Sequence, residues 1–278
     1  QQEPNKLHKL GIMQGRLQPD DPNCLQYFPQ NSWKNEFPIA ESIGFDFIEL
    51  LFDINQNKHN PLVNINGINE HIIELSKTNL FNYSICADYF TKHPLINQNN
   101  SSNKSKLVDL VDKSNNVGAS LIIIPLLQDN NCSNYNDFDR FLKMIKHIMT
   151  NVIKSEIKIC LELSLDAETV LKALKGNQVN VSICYDFGNA TAIGFDISEE
   201  IICLKDYLAH VHIKDRKENN GPNVPLGNGD VDFKAGFKAL KEINYAGSFT
   251  LETAMGAEPL ESAKNHYLYT KNLISMLK

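Results

Sequence analysis

Ile157-Lys158-Ile159-Cys160-Leu161-Glu162 is the first of four short apolar runs that each end in a metal-ligating side chain. The others are Val181-Ser182-Ile183-Cys184-Tyr185-Asp186, Ala209-His210-Val211-His212 and Ser248-Phe249-Thr250-Leu251-Glu252. β-branched and aromatic residues fit a pleated, half-buried surface, so each run reads as a strand, with its ligand where strand gives way to loop. In a parallel α/β protein the carboxyl ends of all strands lie at one face. Four such endings in succession predict one convergent site. Three carboxylates and an imidazole make a hard-to-borderline donor set for one divalent ion, Mn²⁺ first, with Mg²⁺, Co²⁺ or Zn²⁺ as alternatives.

Outward from these runs, strand and helix patterns alternate along the whole chain. Earlier strands are expected at Leu10–Met13, Phe45–Leu51, Phe81–Cys86 and Leu121–Ile124. Helices are expected at Trp33–Ile43, Gly67–Asn79, Lys104–Val117, Tyr135–Lys154, Ala167–Leu174, Ser198–Asp206, Phe233–Ile243 and Leu260–Leu277. Gly44, Gly118, Gly176 and Gly247 follow helical segments, as helix-terminating glycines do. Continuous alternation without a G-x-G-x-x-G turn favours a closed (β/α)8 TIM barrel over a doubly wound sheet, with residues 1–278 as one α/β domain. The polar tract Asn97–Asn103 reads as a surface loop over the barrel mouth rather than a linker.

A net charge of −6 and a pI near 5.8 disfavour a nucleic-acid partner, which requires a basic face. No apolar stretch approaches the roughly 20 residues of a membrane span. The polar segment Gln1–Lys9 lacks the apolar core of a secretory signal. Six cysteines (Cys24, Cys86, Cys132, Cys160, Cys184 and Cys203) form no C-x-x-C pair and are expected to be reduced. Reduced cysteines fit a cytoplasmic enzyme better than a secreted one, and homo-oligomerisation is left open.

With the ligands at the ends of strands five to eight, the chain resembles the xylose-isomerase-like barrel superfamily, in its sugar phosphate isomerase/epimerase branch. The resemblance rests on Gly11-Ile12-Met13-Gln14-Gly15-Arg16-Leu17, Gly44-Phe45-Asp46-Phe47-Ile48-Glu49-Leu50, Leu161-Glu162 and Tyr185-Asp186-Phe187-Gly188-Asn189. Its most specific part is His210-Val211-His212-Ile213-Lys214-Asp215-Arg216 followed by Val224-Pro225-Leu226-Gly227-Asn228-Gly229-Asp230. It implies one divalent ion held by Glu162, Asp186, His212 and Glu252, with the two glutamates acting as acid and base on a sugar or sugar phosphate. Those carboxylates would move a proton at the carbon beside a carbonyl, through an enediolate that the metal stabilises. Ketose 3-epimerases of the branch carry a histidine three residues after the metal aspartate, where this chain has Asn189.

Each assignment has a plainer alternative. Glu162 and Glu252 could form structural ion pairs with a lysine, and Asp186 could cap the following turn. His210 could line the barrel below His212. Arg16 and Arg216, two of only three arginines, lie past strand ends and suit a substrate carboxylate or phosphate, as does Lys214; either arginine could instead pair with Asp215 or Asp230. Glu49 and Asp88 could bind a sugar hydroxyl or orient a ligand from behind. Trp33 reads as packing for the first helix, and Phe52, Phe90 and Phe187 as apolar walls of the site. Alternative functions are inosose-type dehydration on the same site, or a sugar-binding barrel without turnover. A type IV apurinic endonuclease would need further histidines after strands two, three and six, where Phe52-Asp53, Asp88-Tyr89 and Asn189 stand.

Overall fold

The computed structural model describes residues 8–21, 24–64, 66–96, 101–151 and 155–278. The reading of Gln1–Lys9 as free of a secretory core lies outside the described residues, save for positions 8 and 9. So does most of the loop expected over Asn97–Asn103, whose last three residues instead open a helix.

Eight parallel strands close into a barrel in the order β1-β10-β7-β6-β5-β4-β3-β2. They are β1 (Leu10–Met13), β2 (Phe47–Leu51), β3 (Ser84–Cys86), β4 (Leu121–Leu126), β5 (Lys158–Leu163), β6 (Ser182–Asp186), β7 (Leu208–Ile213) and β10 (Ser248–Leu251). Between the last two, β8 (Asp215–Arg216) and β9 (Asn223–Val224) form a short antiparallel pair at the barrel's mouth. The expected TIM barrel is thus present. Around it run α1 (Trp33–Ile43), α2 (Gly67–Leu75), α3 (Ser101–Val117), α4 (Tyr135–Asn151), α5 (Ala167–Asn177), α6 (Phe187–Ile193), α7 (Ile197–Cys203), α8 (Phe233–Glu242) and α9 (Pro259–Ser275).

Strand residues alternate between two environments, as a period of two requires. Outward side chains such as Ile122, Ile124, Leu161, Val211 and Phe249 join the large apolar core beneath the helices. That core also holds Trp33, Phe52, Phe90 and Phe187, so the packing role of Trp33 stands. The three phenylalanines are fully buried and do not border the central cavity; its apolar wall comes from Leu25, Ile54, Leu127 and Ile193 instead. Inward residues divide by chemistry. Leu121, Ile123, Cys160 and Cys184 fill one half of the barrel floor, while Glu49, Ser84, His210, Ser248 and Thr250 fill the other.

Two local expectations need correction. Gly44 and Gly118 have left-handed φ of 112° and 78°, but Gly176 lies inside α5 and Gly247 is not left-handed. Gln178 and Asn244, at φ 49° and 52°, make those turns instead. The sequence reading also missed α6, because Asp186-Phe187-Gly188-Asn189 looks like a turn. Asp186 is its N-cap: one carboxylate oxygen accepts the Asn189 amide N–H at 2.7 Å.

Candidate metal centre and substrate cavity

Register carries the four expected ligands to the carboxyl end of the barrel. Asp186 on β6 sits directly across from His212 on β7, Glu162 occupies the penultimate position of β5, and the Glu252 amide hydrogen-bonds to Ile213 just past β10. One ligand atom from each of Glu162, Asp186, His212 and Glu252 lies within 4.8 Å of all the others.

Each ligand has one polar atom fixed by the protein and a second turned to the common point. Asn189 donates its side-chain amide to Glu162 Oε1 at 3.0 Å, and Gln26 does the same for Glu252 Oε1 at 3.1 Å. Asp186 Oδ1 is held by the helix cap, and His212 Nε2 by Glu49 Oε1 at 2.8 Å. Among the remaining atoms, Asp186 Oδ2, His212 Nδ1 and Glu252 Oε2 are buried without a hydrogen bond. His212 Nδ1 stands 3.1 Å from Glu252 Oε2, 3.7 Å from Glu162 Oε2 and 4.0 Å from Asp186 Oδ2. Two of these oxygens meet the Lys214 ammonium and the imidazole nitrogen meets carboxylates, so this buried set of three carboxylates and a histidine has the donor chemistry of a cation site. Asp186 fills both roles offered for it, cap and ligand, with one oxygen for each.

The electrostatics bear the mark of crowded carboxylates. Burial pushes Glu162 up to about 8, aided by Asp186 and Glu252 and opposed by His212. Burial also raises Glu252, but Lys214 and His212 outweigh it and hold that carboxylate well below its usual range. Burial lowers the His212 imidazole, yet Cys184, Glu49 and Glu252 lift it well above the ordinary histidine value.

The substrate contacts expected from sequence sort differently. Lys214 Nζ ion-pairs with Asp186 Oδ2 at 2.9 Å and Glu252 Oε2 at 3.0 Å, so its charge serves the ligand cluster. Asn189 ties Glu162 to Arg216, whose Nη1 donates to the Asn189 oxygen at 2.9 Å while Nε and Nη2 reach the Gly221 carbonyl. Arg16 donates to the carbonyls of Thr253 and Leu25 and to Gln26. Neither arginine pairs with a carboxylate among the described residues; Asp215 instead accepts the backbone N–H of Gly227, Gly229 and Val231. That staple explains why the H-V-H-I-K-D and P-L-G-x-G segments occur together. Arg16, Asp88, Asn189, Lys214 and Arg216 all border one cavity of about 450 Å³ that opens beside Glu162 and Glu252.

Glu49 does not border it. Its side chain is fully buried under the ligand cluster with both oxygens engaged, which removes it from the substrate contacts. Asp88 remains a candidate: it is almost buried, its Oδ2 has no partner, and burial raises it to about 7. Gln26 was missed, because a loop glutamine far from its partner in sequence carries no local signal. Glu36 was missed for the same reason; it is buried in the first turn of α1 and accepts the backbone N–H groups of Gly15, Leu17 and Gln18, fixing the loop that carries Arg16.

Known proteins share this arrangement of elements. L-ribulose-5-phosphate 3-epimerase UlaE of Escherichia coli (strain K12) is 24% identical over 242 residues, covering 79% of this chain and 81% of that protein. The solved L-ribulose 3-epimerase superposes with a TM-score of 0.76 at 14% identity, covering 98% of this chain and 96% of the other. The IOLI protein with a bound zinc atom superposes with a TM-score of 0.72 at 15% identity, covering 97% of each. The family model for the xylose isomerase-like TIM barrel matches residues 37–272. The chain belongs to that family.

Proposed function

We propose that this protein is a divalent-metal-dependent epimerase or isomerase of a small sugar or sugar phosphate. The observation that carries the reading is the ligand quartet, in which every member is fixed through one atom and presents another to a shared centre. The sugar-epimerase names of the sequence relative and of the solved neighbour support the substrate class, and the zinc-bearing neighbour supports a divalent ion. Glu162, Asp186, His212 and Glu252 would hold the ion, Mn²⁺ by preference. When bound it supplies Lewis acidity, polarising a carbonyl oxygen and the hydroxyl beside it.

The chain's own residues supply the rest. Glu162 and Glu252 each present a carboxylate oxygen to the ligand centre. One can remove a proton from the carbon next to the carbonyl and the other can return it. Return to the opposite face of the same carbon inverts it, whereas return to the neighbouring carbon interconverts aldose and ketose. Gln26 and Asn189 limit the swing of the two glutamates, and Asp88, Arg16 and Arg216 offer the cavity wall for hydroxyl or phosphate groups.

The test is incubation of the Mn²⁺-loaded protein with ketoses, ketose phosphates and inososes in D₂O. Deuterium entering at carbon, with an epimer or isomer as product, is the expected result. Loss of water from the substrate would identify a dehydratase instead, and no exchange with any of them would leave a binding protein.

A further inference from the structure

Below the ligand cluster, Glu49 accepts four hydrogen bonds and donates none. Ser84 Oγ at 2.6 Å, Thr250 Oγ1 at 2.8 Å and His210 Nε2 at 2.9 Å all reach Oε2, while His212 Nε2 reaches Oε1 at 2.8 Å. A carboxylate is an acceptor only, so both histidines must carry a proton on Nε2. His210 is completed from its other side, where Nδ1 accepts the Ser248 hydroxyl at 2.7 Å. His212 is not, since its Nδ1 has no hydrogen bond and faces Glu162, Asp186 and Glu252. The floor therefore decides which His212 nitrogen is free to act as a ligand.

We propose that Glu49 is a positioning residue that fixes the His212 proton on Nε2 and so keeps Nδ1 available to a cation. This rests on the reading of the quartet as a cation site. The asymmetry of its contacts gives a sharp consequence for Glu49→Gln, a change that preserves shape. The amide has one oxygen, and three donors meet at Oε2 against one at Oε1, so the oxygen stays with Ser84, Thr250 and His210. The NH₂ group then faces His212 Nε2, which can only accept. In the neutral ring the proton moves to Nδ1, the atom that must be bare to bind a metal.

Two measurements test this on the full chain. Mn²⁺ titration should show affinity falling on the order of 10–100-fold in Glu49→Gln, the usual consequence of losing such a partner. Removing a negative charge also weakens cation binding, so the deciding readout is the ring itself. In ¹⁵N NMR of the metal-free proteins, at a pH high enough to make the ring neutral, His212 should carry its proton on Nε2 and none on Nδ1 in the wild type. In the neutral ring of Glu49→Gln, Nε2 should be bare and Nδ1 protonated. A variant that folds and keeps Nε2–H in its neutral ring, or that binds Mn²⁺ as tightly as wild type, overturns the proposal. If the variant does not fold, the wild-type ring decides alone once titrated to its neutral form: Nε2–H with a bare Nδ1 supports the lock, and a bare Nε2 overturns it. Failure of the wild type to bind Mn²⁺ would instead strike the proposed function, because the proton positions are read without metal.

Discussion

Two clusters of carboxylate and imidazole lie one above the other in this barrel, and they differ in what is left over. In the lower one, around Glu49 and His210, every hydrogen-bonding atom named has a partner. In the upper one, around His212, three buried ligand atoms have no hydrogen bond, and two of them are met by the Lys214 ammonium and the His212 ring. Residue types barely distinguish them, and Glu49, His210 and His212 would themselves pass as a metal-binding triplet by proximity. Satisfaction separates scaffold from site: a closed network gains stability from its contacts, whereas an open one keeps coordination capacity for a ligand.

Breaking the upper cluster should give the largest effect on turnover and a small one on folding. Glu252→Gln and Glu162→Gln are each expected to slow the reaction on the order of 10²–10⁴-fold, the usual contribution of a general acid or base. Near-normal rates in both, measured on whichever substrate exchanges deuterium, would rule out two-carboxylate proton transfer. His212→Ala and Asp186→Asn should leave the purified protein without its metal, which elemental analysis would detect.

Breaking the lower cluster should do the reverse. Glu49→Ala strips the acceptor from four buried donors, and the expected loss is about 3–5 kcal/mol of unfolding free energy. Chemical denaturation would measure it. A loss below about 1 kcal/mol would mean that the floor is less closed than its distances suggest.

A third variant probes the staple that holds the mouth over both clusters. A Cβ on Gly229 would fall 1.8 Å from Asp215 Oδ1 and 2.8 Å from the Arg216 carbonyl oxygen. Gly229→Ala should cost about 1–3 kcal/mol, as other overpacked sites do. Thermal unfolding would show it as a lower midpoint.

The smallest effect expected is a pH dependence at His266, which links the same loop to the strand end. Nε2 accepts the Leu226 N–H at 3.3 Å and Nδ1 meets Thr253 Oγ1 at 3.0 Å, so the ring is neutral when folded. Burial lowers it to about 4, against about 6.5 in the unfolded chain. Between those values the unfolded state binds more protons, so the stability this group contributes is present above about pH 6.5 and is lost as pH falls toward 4. Wild type should therefore lose about 1–2 kcal/mol more than His266→Gln between pH 7 and 5. Parallel stability curves for the two proteins would show that the ring does not titrate this way.

Among the described residues no helix is long and apolar enough to cross a bilayer. All six cysteines are free.

The barrel was legible because its signals are local. Apolar runs of strand length, helix periods between them and ligands at run ends all follow from backbone repeats of two and 3.6 residues. The quartet Glu162, Asp186, His212 and Glu252 came with them, since being at a strand end in a parallel barrel already specifies the face. Sequence could not tell which polar residues face the cavity and which lie under it. In sequence Glu49 reads like Asp88, a carboxylate near a strand end, yet Glu49 lies in the middle of β2 and accepts four buried hydrogen bonds, while Asp88 follows β3 and has an oxygen without a hydrogen bond. Nor could it show Gln26 beside Glu252, Lys214 between Asp186 and Glu252, or Glu36 under the loop of Arg16. Those depend on contacts between residues far apart in the chain, which closure of the barrel creates and no local pattern encodes.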